Sequence, residues 1–154
     1  MQREPRILPY MDIPFQHVSD SILRRMNRHY DHEALCRCVE RVRAAVPDIA
    51  LRTTMMVGFP GETEQDVREM ESFLRHYRID HVGVFAYTNE EGAPSEFFPD
   101  QCTEEVKQER LERILALQAE ISEDTLSKYV GRTLPVLVEG LSQETDLLLE
   151  GRTR

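Results

Sequence analysis

Apolar and polar positions change period several times along the chain, and each change marks an element. Ile7 to Phe15 is largely apolar, with Asp12 and Pro14 near its end, and predicts a first strand. Gln16-His17-Val18 leaves that strand as a loop, and Ser19 can cap a short helix to about Asn27. Asp31 can cap a second helix over 32–46. Its stripe of Leu35, Cys38, Val39, Val42, Ala45 and Val46 has the spacing of a half-buried helix, and Pro47-Asp48 ends it. Leu51 to Val57 is apolar or β-branched except for Arg52, which suits a buried strand. A helix over about 64–77 buries Val67, Met70, Phe73, Leu74 and Tyr77. His81 to Tyr87 then reads as a third strand.

Crossovers of this length join parallel neighbours through right-handed connections, so the three strands are expected side by side in chain order. Three parallel strands are too few for a stable sheet, which points to part of a larger barrel or doubly wound sheet. Residues 88–102 read as a loop. Thr103 caps a long helix in which Val106, Leu111, Ile114, Leu115, Ile121, Leu126 and Tyr129 keep helical period to about Val130. At 1.5 Å per residue it reaches roughly 40 Å, and Gly131 is a good residue to end it. Leu134–Glu139 and Asp146–Glu150 read as strands around a turn, too little for an independent domain.

The stretch Leu51 to Thr63 organises the chain. Gly58 ends the strand, Pro60-Gly61 supplies a tight turn, and Thr63 caps a helix opening with Glu64, Gln65 and Asp66. In α/β folds ligands sit where strands end and such loops begin. The stretch therefore reads either as a cofactor loop or as an ordinary βα turn.

Composition narrows the classes. The chain has 154 residues, 40% hydrophobic and 31% charged, as in a folded domain rather than a disordered one. No apolar run approaches a membrane span and no signal peptide is visible, so the expected location is the cytoplasm, with no membrane contact. A net charge of −9 argues against strong nucleic-acid binding. Three cysteines, Cys36, Cys38 and Cys102, do not make a disulfide scaffold. Cys36 and Cys38 stand two apart on a predicted helix, which is poor metal-ligand spacing, whereas Cys38 fits the apolar stripe. His29, His32, His76 and His81 show no metal spacing and read as surface residues.

Several side chains can carry binding. Arg52 suits an anionic ligand group or an ion pair with an acid on a neighbouring strand. Gln16, His17 and Ser19 together offer hydrogen-bond groups suited to sugar hydroxyls, although Ser19 also suits a helix cap. Phe85 and Tyr87 share a strand face, fit either for stacking on a flat ring or for core packing. Glu90-Glu91 reads as a functional or simply a solvated acidic pair.

As an ordered set these residues resemble the radical-SAM methylthiotransferases. Pro9 to Asp20 looks like the family's fourth barrel strand and ribose-side loop. Leu51 to Thr63 looks like the fifth strand with its V-G-F-P-G-E-T loop. Val82 to Tyr87 with Glu90-Glu91-Gly92-Ala93-Pro94 looks like the sixth, and Val130 to Gly140 resembles the entry to a TRAM domain. D-I-P-F-Q-H, R-T-T and Y-T-N-E-E-G match the branch that acts on ribosomal protein rather than the tRNA branch.

The resemblance implies an α/β fold: the C-terminal half of a radical-SAM (β/α) partial TIM-type barrel over 1–100, a connecting long helix over 101–131, and a truncated TRAM β-barrel over 132–154. It implies an enzyme that adds a methylthio group to an aspartate of a small-subunit ribosomal protein, using S-adenosylmethionine (SAM) and iron–sulfur clusters. By analogy Gln16, Ser19 and Arg52 face the ribose or methionine end of SAM. Gly58 lets backbone approach the nucleoside, and Phe85 or Tyr87 borders the adenine.

The family's C-x-x-x-C-x-x-C cluster motif is absent, so no catalytic or metal-ligating residue is assigned in this chain. The expectation is a C-terminal fragment, inactive without the missing N-terminal half. Alternatives are a fragment of a tRNA methylthiotransferase and a non-catalytic interaction module.

Overall fold

In the computed structural model, described for residue 4 and residues 6–153, the elements run β1 (Tyr10–Asp12), α1 (Asp20–Arg25), α2 (His32–Ala45), β2 (Ala50–Val57), α3 (Glu64–Tyr77), β3 (His81–Ala86), α4 (Glu104–Ser127), β4 (Leu137–Leu141) and β5 (Leu149–Arg152). A short 3-10 turn spans Pro94–Phe97. β1, β2 and β3 form one sheet in that spatial order, both pairs parallel. This is the sheet that the alternation of strands and helices predicts.

β1 is shorter than expected. Its ladder begins only at Tyr10, where register with Ala50 starts, and the exposed Ile7 and Leu8 lie before it. Beyond Asp12 it stays tied to β2 through Thr53. The Thr53 hydroxyl donates to the Ile13 carbonyl at 2.7 Å and accepts the Phe15 N–H at 3.1 Å.

β2 alternates half-buried and buried positions. Leu51, Met55 and Val57 join one core with Leu35 and Val39 of α2, Val67, Met70, Phe73 and Leu74 of α3, and Ile114, Leu117 and Ile121 of α4. Each such side chain contributes about 1.5–3 kcal/mol of burial. The helices thus cover one face of the sheet, and the opposite face is half-exposed.

The helix starts follow their caps. Asp31 accepts the Ala34 N–H at 2.8 Å, Thr103 accepts the Val106 N–H, and Thr63 and Asp66 form a capping box. On α2 the expected stripe holds at Leu35, Val39, Val42 and Val46, but it is Cys36, not Cys38, that packs against the main core. His32 is not simply a surface residue: half-buried, it pairs with Glu69 at 3.0 Å and lies edge-on to Phe73.

The stripe expected on α4 holds at Ile114 and Ile121, with Leu111 packed against the core, and is corrected elsewhere. Leu115, Leu126 and Tyr129 are exposed, whereas Lys107, Arg110 and Gln118 are buried beside Ile114, Leu117 and Ile121. Gln118 donates to the Ile79 and Asp80 carbonyls between α3 and β3, so polar side chains hold the helix to a loop. β4 and β5 pair antiparallel with an irregularity between Val138 and Gly140, about three residues later in the chain than expected. Every residue of both strands is exposed, so no buried face pins their positions.

Candidate functional site

The C-terminal ends of the three strands meet at Gln16, Gly58 and Tyr87. Gln16 sits at φ 69°, donating its N–H to Thr54 and accepting the Met56 N–H at 2.7 Å. The Tyr87 N–H donates to the Val57 carbonyl at 2.8 Å. Gly58 at φ 74° turns the chain sharply out of β2, a conformation favoured by glycine.

The loop after β2 is held from within by Glu62, whose side chain is fully buried. Its carboxylate accepts the Gly58 N–H at 2.9 Å, Nη1 of Arg110 at 2.9 Å and Nε2 of His17 at 3.1 Å. His17 accepts the Ser19 N–H on Nδ1 at 3.0 Å, which leaves the proton on Nε2 and directs it to Glu62. Both His17 nitrogens are therefore engaged inside the protein, and His17 is no open group for sugar hydroxyls.

Ser19 occupies the N-cap position of α1, but its hydroxyl makes no capping bond and instead donates to Asp66 of α3. Ser21 and Thr63 donate to the same carboxylate. Burial works to raise the Asp66 carboxyl, and these hydrogen bonds outweigh it, so the group lies below the usual aspartate range.

Arg52 lies in register with Asp12 on β1, and the two form an ion pair on the half-exposed face. Hydrogen bonding to Asp12 and its charge raise the guanidinium pKa further. The acid on a neighbouring strand is thus present, and the Arg52 side chain is still 41% exposed, leaving it open to a ligand as well. Gly83 lies beside it, with the Arg52 guanidinium and the Phe85 ring each 3.7 Å from where a side chain would begin.

Phe85 and Tyr87 do not form one stacking pair. Phe85 is 57% exposed on the open face, in register with Met56. Tyr87 is buried against Phe59 at 5.1 Å between ring centroids, and its hydroxyl bonds Asn89 and Ser95. The space that a side chain at Gly58 would take is filled by the stem of Lys107, whose Cγ lies 2.4 Å from the Cβ position. Glu90 and Glu91 are exposed.

Sequence reading missed Glu62, Asp66, Lys107 and Arg110 as parts of this end of the molecule. The signal available was the acid of G-E-T beside a glycine turn, and cations at positions 107 and 110 on a helix that packs against the sheet. Two cavities, of about 450 and 920 Å³, lie away from the strand ends, one between α2 and α3 and one along α2 beside Met11. Among the described residues, no cluster of three or more histidine, cysteine or acidic side chains is arranged to hold a metal.

A parallel sheet with helices on one face and a glycine loop at its strand ends is the setting of a radical-SAM domain, and the model of the Radical SAM superfamily matches residues 3–74. The chain belongs to the radical-SAM methylthiotransferase family. It is 58% identical over 154 residues to a protein of Desulfotalea psychrophila named ribosomal protein uS12 methylthiotransferase RimO, covering 100% of this chain and 35% of that protein. Proteins of the same name from Geobacter sulfurreducens and Desulforudis audaxviator are 44% and 48% identical, over 99% and 94% of this chain and 34% and 32% of their own lengths. The chain spans about a third of the length of these curated relatives.

Proposed function

We propose that this chain is the part of a radical-SAM methylthiotransferase that orients SAM, in an enzyme placing a methylthio group on an aspartate of ribosomal protein uS12. The observation that carries the reading is the 58% identity to a uS12 methylthiotransferase across all 154 residues. In this reading, 1–100 is the second half of the barrel, 101–131 connects, and 132–154 begins a TRAM domain. The protein works in the cytoplasm.

The open face suits SAM in part. Arg52 offers a guanidinium to the methionine carboxylate, the half-buried Gln16 stands at the strand end, and Phe85 presents an exposed ring to the adenine. Gly58 contributes through the turn it permits, and Tyr87 supports the wall from behind. Ser19 acts indirectly, by fixing α3 to the β1 loop through Asp66. SAM and its iron–sulfur cluster supply the radical chemistry, and this chain supplies orientation.

The cluster does not fit the cysteines of this chain. Cys36 and Cys38 lie on α2, and Cys102 lies before α4 beside Arg110. The ligands come from outside these residues, and the chain alone is inactive. The test is a chimera in which this chain replaces the matched segment of the Desulfotalea psychrophila relative. Methylthiolation of uS12, read by mass spectrometry of its peptides, is the expected result. A folded, cluster-bearing chimera that leaves uS12 unmodified overturns the reading, and one that modifies tRNA instead reassigns the substrate.

A further inference from the structure

Resting on that reading, we infer that α4 is a working part of the cofactor site, with Arg110 as a positioning residue acting through Glu62. Arg110 is 8% exposed and gives Nη1 to both the Glu62 carboxylate and the Glu62 carbonyl, at 2.9 and 3.1 Å. Glu62 in turn holds the Gly58 N–H at the end of β2 and the His17 ring beyond β1, and His17 holds the Ser19 N–H. One guanidinium on α4 therefore fixes the exit of two strands whose ends form the proposed SAM wall. Lys107, one turn earlier on α4, fills the space beside Gly58 with its stem, and its ammonium lies 5.4 Å from the Tyr87 ring centroid.

The arrangement is not one that maximises stability. The Nε of Arg110 is buried with no hydrogen-bond partner among the described residues, and a buried ion pair is often no better than apolar packing of the same volume. What it contributes is geometry: the carboxylate is aimed by two cationic or N–H donors from other elements before any ligand arrives, so the glycine turn does not have to be ordered on binding.

Two measurements test this. In the 154-residue chain, residue-resolved hydrogen exchange is compared for the parent, Arg110→Met and Arg110→Lys. The Gly58 and Ser19 amides are expected to lose protection together in Arg110→Met, by about tenfold or more, while Met55 in the same core keeps its own. Arg110→Lys recovers part of the loss, because an ammonium can still serve Glu62. In the active chimera, the KM for SAM is expected to rise about tenfold in Arg110→Met with kcat much less affected, since a misaimed loop weakens binding.

Unchanged exchange at Gly58 and Ser19, or a loss shared equally by Met55, overturns the positioning role. So does a lower kcat at constant KM, which is what a smaller folded fraction gives. A chimera inactive with the parent sequence counts against the functional reading alone, and the exchange experiment then decides the role of Arg110.

Discussion

Arg52 and Asp12 stand opposite each other in the parallel register of β1 and β2, and their side chains pair on the one face of the sheet that no helix covers. Both remain more than a third exposed. Exposed pairs of this kind are screened by solvent and add little to stability. Replacing Arg52 with Met is therefore expected to leave the urea midpoint of the chain nearly unchanged while raising the KM for SAM in the chimera. A large stability loss with an unaltered KM would make Arg52 a structural residue only.

Gly58 and Lys107 constrain each other. Alanine at 58 costs about 1–2 kcal/mol for the left-handed backbone alone, and its Cβ meets the Lys107 stem as well. Shortening Lys107 to Ala removes the nearest atom of that stem, its Cγ, and leaves only the Cβ at 3.1 Å. The double variant Gly58→Ala, Lys107→Ala is expected to lose less stability than the two single variants summed, as read by urea denaturation. Strict additivity would mean that the two side chains do not share this space.

Asp66 gives the protein a defined acid response. Its carboxyl is held below the ordinary value because hydrogen bonds from Ser19, Thr63 and Ser21 overcome the effect of burial. A lowered carboxyl contributes stability above the unfolded value of about 3.9 and loses it as pH falls through the lower folded value. Glu69, raised chiefly by burial, works in the opposite sense. Comparing the parent with Asp66→Asn removes most of that contribution, since Glu69 is raised chiefly by burial and only to a lesser degree by the Asp66 charge. The stability difference is expected to be constant above about pH 5 and to shrink below about pH 4. A difference that grows on acidification contradicts the hydrogen-bonded carboxylate.

The open sheet face and edges predict association of the isolated chain. Among the described residues, β1 and β3 each pair on one side only, and Tyr10 and Phe85 are exposed. Such edges template pairing with other chains, although the net charge of −9 opposes it. Light scattering after size exclusion is expected to give a mass that rises with loading concentration. A monomer at every concentration, with a sharp cooperative melt, would point to a self-sufficient domain.

Much of the sheet was legible because its determinants are local. Crossover length set the strand order, and Asp31, Thr63 and Thr103 marked helix starts that the structure keeps. The inner face of α4 was legible only in part: Ile114 and Ile121 are buried as their spacing predicts. Hydrophobic periodicity favours Leu115 and Leu126, but the helix packs on Lys107, Arg110 and Gln118 because loop groups there need partners. Glu62 was hidden for a related reason: its partners at 17 and 110 are distant in sequence, so only the folded chain brings them together. Ser19 looked like a cap because its position is one, and only the approach of α3 gives its hydroxyl to Asp66.

We propose that the strand ends around Gln16, Gly58 and Phe85 hold the adenosyl cofactor. Photolabelling the chimera with an azidoadenine analogue of SAM, followed by peptide mapping, locates the bound cofactor. Label is expected within residues 15–19, 56–63 or 83–89, competed away by unlabelled SAM. Competable label found only elsewhere, on the outer surface of α2, on the β4–β5 hairpin or solely in the relative's own segments, would contradict it.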